Sequence, residues 1–336
     1  MHDFIHYAHA TFLRGFPLYF PTAGVEVSIW VPPVVAFVIS FFTSMGGVSG
    51  AFLLLPFQMS FLGYTNPSVS ATNQLFNIVA IPSGVYRYWR EGRMVWPLTW
   101  VVVAGTLPGV FIGAFIRIAY LPDPKAFKLF AGGVLFWIGG KMVLELLKRK
   151  GRNEKALSEK RFQELVRSHK KPEQLGNSVV QATIPSVKVI QFNLQRLRYT
   201  FYGEEFNVSF WGIFSLSLIV GVVGGIYGIG GGAIIAPFFV AFFKLPVYTV
   251  AGAALMGTFV TSVAGVVFYQ LMAPFYPNMS VAPDWLLGIM FGLGGMMGMY
   301  LGARCQKFVP ARAIKWMLAG IIVLTAGKYV FAFFGG

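Results

Sequence analysis

The chain has 336 residues, 56% apolar and 17% aromatic but only 12% charged, with a mean hydropathy of +0.66. A soluble globular protein carries about 25% charged residues, so a water-facing surface cannot be covered, and the composition predicts an all-α polytopic membrane protein. The formal charge of +15 raises nucleic acid as a partner, but twelve of the 27 Lys and Arg lie between Arg149 and Arg198 and most others end apolar segments. That is the distribution of cytoplasmic loops beside an anionic membrane, and no nucleic-acid motif accompanies it.

Residues 1–32 are rich in aromatics (Phe12, Phe16, Tyr19, Phe20, Trp30) and read as a segment lying at the membrane interface. Pro17 and Pro21 interrupt them, and no small-residue cleavage site follows an apolar core, so a signal peptide is not expected. His2, His6 and His9 share a helical face, but such terminal clusters are usually solvated, and no metal or other cofactor is expected. Cys305 is the only cysteine, which excludes an intrachain disulfide and a thiolate cluster.

Apolar segments follow at about 33–62, 68–89, 94–120, 126–148, 208–243, 247–272, 284–303 and 312–333. The stretch 149–207 between the fourth and fifth is polar and basic. Its second half alternates apolar and polar residues with a turn at Gly203, so the stretch reads as a cytoplasmic insert of a helix followed by a β-hairpin, with a disordered basic linker as the alternative.

The chain repeats itself. GGVSGAFLLLPF (Gly46–Phe57) matches GIGGGAIIAPFF (Gly228–Phe239). Gly109-x-x-x-Gly113-Ala114 matches Gly298-x-x-x-Gly302-Ala303, and Lys128, Gly133, Gly140 and Lys141 match Lys315, Gly320, Gly327 and Lys328. The repeats are therefore 33–148 and 208–336. Charge reverses between equivalent loops. The loop after the second segment holds Arg87, Arg90 and Arg93 in the first half, whereas its counterpart APFYPNMSVAPD has no Lys or Arg. This predicts inverted repeats.

Inversion requires an odd number of crossings per half. As one straight helix, 208–243 would be about 54 Å long and 33–62 about 45 Å, against a hydrocarbon core of about 30 Å. Broken at the glycines, each folds back as a re-entrant hairpin, leaving three full crossings per half. Both termini then lie outside and 149–207 inside. The rival is eight plain crossings with parallel halves.

Gly228-Ile229-Gly230 with Ala233 nearly matches a dinucleotide fingerprint, but no strand precedes it and no acid occurs between Glu205 and Asp284. Spaced glycines (Gly109, Gly113, Gly288, Gly292, Gly295, Gly298, Gly302) read as close helix packing. The dense clusters read as helix breaks, whose backbone groups must line a polar cavity or bind a ligand. Helix N-termini there would attract an anion. The candidate substrate-binding residues are Gly46, Gly47, Ser49, Gly50, Gln58, Asn73, Gln74, Asn77 and Arg87 in the first half. In the second they are Tyr227, Gly228, Gly230, Gly231, Thr258, Thr261 and Ser262. For any single Thr or Ser, back-bonding within its own helix competes with this role. Arg87, Arg93, Arg117, Lys244 and Arg304 offer an anion funnel, while Lys128, Lys141, Lys315 and Lys328 read as snorkelling to the interface. Intramembrane acids are nearly missing, which disfavours a cation substrate. Glu145 is expected to pair with Lys141 or Lys148.

These features resemble the TauE/SafE family of sulfite and organosulfonate exporters. The resemblance covers both halves and rests on GIGGGAIIAPFF, its weaker copy, the Gly-x-x-x-Gly-Ala elements and the duplication. Val48 and Ser49 in the first cluster and the long basic insert depart from the pattern. The resemblance implies export of small sulfur-containing or organic anions such as sulfite or sulfonates, coupled to protons, in a bacterial inner membrane. The expected partners are a small anion, the lipid bilayer and protons, with a second copy of the chain as a further candidate. A passive anion channel would use the same site. No metal-protease motif, carboxylate pair or nucleophile triad marks an enzyme.

Overall fold

The computed structural model describes residues 16–46, 49–90, 94–147, 174–175, 178–179, 187–201, 204–243, 245, 247–305 and 311–334. Strands β1 (Pro17–Phe20) and β2 (Val25–Ser28) form an antiparallel hairpin through Gly24, whose φ of +67° suits glycine. The described part of the segment predicted to lie at the interface is thus folded on itself. Phe20, Val25 and Val27 are buried, while Phe16, Tyr19 and Trp30 are exposed.

The first apolar segment is broken. α1 (Val31–Gly46) ends at the glycines and α2 (Ala51–Ser60) starts after them. The second segment is also in two pieces, α3 (Ser68–Ala80) and α4 (Pro82–Arg90), where a single crossing over 68–89 was expected. Pro82 starts the second piece, having no amide to donate to a continuing helix. Two long helices complete this half, α5 (Trp96–Ala119) and α6 (Pro124–Leu147).

The expected helix in the first part of the insert lies outside the described residues. Two short strands, β3 (Gln174–Leu175) and β4 (Ser178–Val179), pair antiparallel. Beyond them β5 (Val187–Phe192), β6 (Arg196–Phe201) and β7 (Glu204–Ser209) form a three-stranded antiparallel sheet. The hairpin expected around Gly203 is β6–β7, joined across its face by Arg198 and Glu205. Leu197, Tyr199, Phe201 and Val208 are its buried side.

Ser209 then caps α7 (Phe210–Tyr227), its Oγ accepting from the Gly212 N–H at 3.3 Å. After a second break come α8 (Gly232–Phe242), α9 (Val247–Met272), α10 (Trp285–Cys305) and α11 (Ala311–Phe334). Among the described residues, six helices are long and apolar enough to span a membrane; α1 and α2 are apolar but shorter.

Glycines set the helix packing crosswise between the halves. A Cβ on Gly109 or Gly113 of α5 would collide with the backbone of α7 at Leu218 and Val222. Gly221 and Gly225 of α7 face Thr106 and Val110 of α5 in return. The matching Gly298 and Gly302 of α10 meet the Phe37 and Phe41 carbonyls of α1. Each motif therefore seats the first arm of the other half's broken segment, as expected for small residues at lipid-embedded interfaces. The glycines matched on α6 and α11 behave differently: Gly133, Gly140, Gly320 and Gly327 have open space around them.

Helix directions follow from contacts. Gln74 packs on Gly265, Asn77 bonds Ser262, and Gly84 faces Leu255, so α3 and α4 run antiparallel to α9. Gly132 meets Tyr329 and Gly139 meets Ile322, so α6 and α11 are antiparallel too. Gly212 at the start of α7 lies against Phe243 just past α8, so this segment ends on the side where it began. The N-terminal hairpin and the start of α3 meet one loop. The Ser280 hydroxyl donates to the Thr22 carbonyl (2.7 Å) and the Ser280 carbonyl accepts from the Ser68 N–H (3.0 Å).

Candidate functional site

The two breaks meet in the interior. At the second, the chain leaves α7 through Gly228 and Gly230, with φ of +82° and +75°. That left-handed geometry costs a side-chain-bearing residue about 1–2 kcal/mol. Space excludes a side chain as well: a Cβ on Gly228 would strike the Ser70 backbone, and one on Gly230 would lie 2.8 Å from Ser262 Oγ. One on Gly231 would lie 2.6 Å from Thr106 Cβ. In the first break, a Cβ on Gly50 would lie 2.7 Å from Ser40 Oγ. Ser49 Oγ accepts from the Ala51 N–H at 3.3 Å, beginning α2.

Helix α3 threads between the breaks and presents Ser70, Asn73, Gln74 and Asn77, all fully buried. Their spacing places them along one face. Asn73 Nδ2 donates to Ala51 O (3.2 Å) at the first break and Gly228 O (3.1 Å) at the second. Its Oδ1 accepts from Gln58 Nε2 of α2 at 3.4 Å. Asn77 Nδ2 donates to Ile229 O (3.0 Å) and Ser262 Oγ (3.4 Å). Ser70 Oγ donates to Ile226 O at 3.0 Å. An amide side chain suits these positions because a broken helix leaves carbonyls that lipid cannot satisfy.

Helix α9 supplies the other wall. Thr258 and Thr261 back-bond to Ala254 O and Gly257 O within their own helix. Thr261 Oγ1 also accepts from the Gly231 N–H at 3.1 Å, so its hydroxyl serves both helix and break. The Gly228 and Ile229 N–H groups bond to Gly224 O. Of the backbone donors at this break, expected to face a cavity or a ligand, these three are occupied within the protein, and side-chain amides carry the open polar atoms. Gln58 Oε1, Asn77 Oδ1 and both amide atoms of Gln74 are buried without a partner among the described residues.

Of the candidate residues, Ser49, Gly50, Gln58, Asn73, Gln74, Asn77, Tyr227, Gly228, Gly230, Gly231, Thr258, Thr261 and Ser262 lie at or beside the two breaks. Gly46 ends α1. Gly47 lies outside the described residues. Arg87 falls in α4, remote from the breaks in sequence, and its side chain is outside what the structure describes. Ser70, Thr106 and Ser40 belong to the same surroundings. Ser70 carried a signal, being polar on the same helix, whereas Thr106 shows its role only through the crosswise packing.

Among charged side chains, Arg304 is exposed beside the Tyr300 ring. The Lys141 ammonium lies over the Trp137 and Phe238 rings, at 5.2 and 5.0 Å, rather than simply reaching for water. Arg93, Lys244 and the side chain of Glu145 lie outside the described residues. So do His2, His6 and His9, and no metal-binding cluster of His, Cys, Asp or Glu occurs among the described residues.

Comparison with known proteins agrees with this architecture. The family model described as sulfite exporter TauE/SafE matches residues 33–329. Two Bacillus subtilis (strain 168) proteins are similar over shorter stretches. The probable membrane transporter protein YdhB is 25% identical over 114 residues, 34% of this chain and 43% of that protein. The probable membrane transporter protein YunE is 22% identical over 131 residues, 38% of this chain and 45% of that protein. The matched stretch thus spans less than half the length of each relative. No solved structure matches. With the family match running through both halves and both helix breaks, the chain belongs to the TauE/SafE sulfite exporter family of multi-pass membrane transporters.

Proposed function

We propose that the protein is a secondary transporter, an exporter, of small sulfur-containing or organic anions such as sulfite or sulfonates, with its anion site between the two glycine-rich breaks. The observation that carries this reading is the set of buried, unpartnered amide atoms of Gln58, Gln74 and Asn77 where the breaks meet. Such atoms are costly in a membrane interior unless a ligand or water meets them. The group is neutral, which favours binding an anion weakly enough to release it.

Of the open atoms, Gln58 Oε1, Gln74 Oε1 and Asn77 Oδ1 accept and only Gln74 Nε2 donates, so the site suits an oxyanion that still carries a proton to give them. For sulfite, proton coupling would then need no resident carboxylate, because the proton travels on the substrate; a sulfonate is too strong an acid to carry one. A passive channel is less well supported, since Gln58, Asn73, Gln74, Asn77, Thr261 and Ser262 are all fully buried.

Antiparallel pairing of the equivalent helices α3/α9 and α6/α11 supports inverted repeats over 33–148 and 208–336, rocking around the site. The same reading puts the insert 149–207 in the cytoplasm, residues 1–32 and the C-terminus outside, and the protein in a bacterial inner membrane. It has no enzymatic role in this reading, and a homodimer is compatible with it. The test is flux of radiolabelled sulfite and taurine in proteoliposomes, with and without an imposed proton gradient. Gradient-driven accumulation is expected. Equilibration alone would favour the channel, and no flux of either anion would reject the substrate class.

A further inference from the structure

Two charged side chains are fully buried among the described residues, Arg117 and Asp284. Asp284 is accounted for: its Oδ1 accepts from Leu287 N (3.1 Å) at the start of α10, and its Oδ2 from Ala23 N (3.2 Å). Arg117 is not. Its Nη2 donates to Thr65 O at 2.9 Å and its Nη1 to Leu121 O. The Phe127 ring lies 3.7 Å from its Cζ. All three partners are neutral. No carboxylate pairs with it among the described residues, and its Nε is buried without a partner. A guanidinium taken out of water without a counter-charge is costly, and an anion removes that cost.

Its position connects it to the breaks. The Thr65 carbonyl lies in the loop entering α3. Tyr64 in the same loop bonds the Ser68 and Thr72 hydroxyls of α3 (2.5 and 2.7 Å), and Tyr269 on α9 packs in one buried cluster with Ala114 and Ile118, which flank Arg117 on α5. The Tyr269 hydroxyl donates to the Gly225 carbonyl (3.3 Å), next to the Ile226 carbonyl that accepts from Ser70, one turn before Asn73 and Gln74 on α3. A row of hydroxyls and amides thus leads from Arg117 to the place where the breaks meet.

We propose that Arg117, with Tyr64 and Tyr269, forms a second station for the transported oxyanion at the Ser68 end of α3, supplying the positive charge that the break site lacks. This rests on the anion-transport reading above. The guanidinium's open Nε–H and planar donors fit an oxyanion, and its carbonyl contacts hold it in place. A purely structural Arg117 would only tie the loops at Thr65 and Leu121 together.

The test compares wild type, Arg117→Lys and Arg117→Gln in proteoliposomes loaded with radiolabelled sulfite or taurine, measuring KM and Vmax separately. Lys keeps the charge but loses the planar fork, so its KM is expected to rise about tenfold with a smaller change in Vmax. Gln is expected to abolish saturable flux. If wild type moves neither anion, the transport reading fails and the proposal with it. If wild type transports and Arg117→Lys keeps the wild-type KM, only the role of Arg117 is overturned, whatever happens to Vmax or Tm. Should the variants not fold, wild-type crystals soaked with selenite decide. An anomalous peak within hydrogen-bond reach of the guanidinium supports the station; a peak elsewhere only, or none, overturns it.

Discussion

The Tyr227 hydroxyl donates to the Phe52 carbonyl at 3.0 Å, from the lip of one helix break to the second arm of the other. Phe52 lies four residues before Pro56 within α2. Proline has no amide to give, so the Phe52 carbonyl lacks its helical donor, and Tyr227 replaces it. Tyr227→Phe should therefore cost about 1–3 kcal/mol, the penalty of an unpaired buried carbonyl. In a Pro56→Ala background the restored amide can serve Phe52, and the cost should shrink. A double-mutant cycle on thermal unfolding in detergent measures this. Equal costs in both backgrounds would show that the two residues are not linked in this way.

Asn73 is the other link between the breaks, donating to Ala51 O and Gly228 O. Asn73→Leu keeps the bulk but withdraws a donor from both carbonyls, for a loss on the order of 2–4 kcal/mol. Asn73→Asp should be worse in transport than in size, because an acceptor replaces the donor and a negative charge faces the expected anion. Flux and melting temperature together check this. An Asp variant with normal flux would remove Asn73 from the site.

Glycines at the second break and those on α6 and α11 should respond with opposite signs. Gly230→Ala forces a left-handed residue, at about 1–2 kcal/mol, against Ser262 and Thr258, and should abolish transport. Gly133→Ala and Gly320→Ala enter open space in helix interiors and should stabilise by about 0.5–1 kcal/mol with transport intact. Melting curves and flux on the three variants suffice. Sensitivity at Gly133 or Gly320 would mean that the repeat motif acts through a partner at that face.

The helix breaks were legible because length conflicts with membrane thickness: α1 with α2, and α7 with α8, are each too long for one crossing. Asn73, Gln74 and Asn77 were legible because an amide at depth demands a partner. The division of 68–89 was not, since that stretch has the length of one crossing and Pro82 was outweighed. The β1–β2 hairpin left a weak signal, alternation in VEVS after Gly24, hidden by the aromatics around it. Pairings such as Tyr227 with Phe52, or Gly109 with Leu218, join residues more than a hundred positions apart. No local pattern encodes them; they follow only from the crosswise packing.

Asp284 ties the N-terminal hairpin to the start of α10. Its two carboxylate oxygens accept from Leu287 N and Ala23 N, while its own N–H donates to Thr72 Oγ1 at 2.9 Å. Asp284→Ala removes a helix cap and strands the Ala23 N–H, for about 1–3 kcal/mol. Asp284→Asn should cost less, because one amide oxygen still caps Leu287. The hairpin should also loosen, so limited proteolysis within 16–30 should quicken in Asp284→Ala and only slightly in Asp284→Asn. The matched family region begins at residue 33, beyond the hairpin, and transport chemistry does not use Asp284 in the mechanism proposed. Flux per folded molecule should therefore change less than stability does. A variant that melts normally but no longer transports would move Asp284 from anchoring the hairpin to the transport path itself.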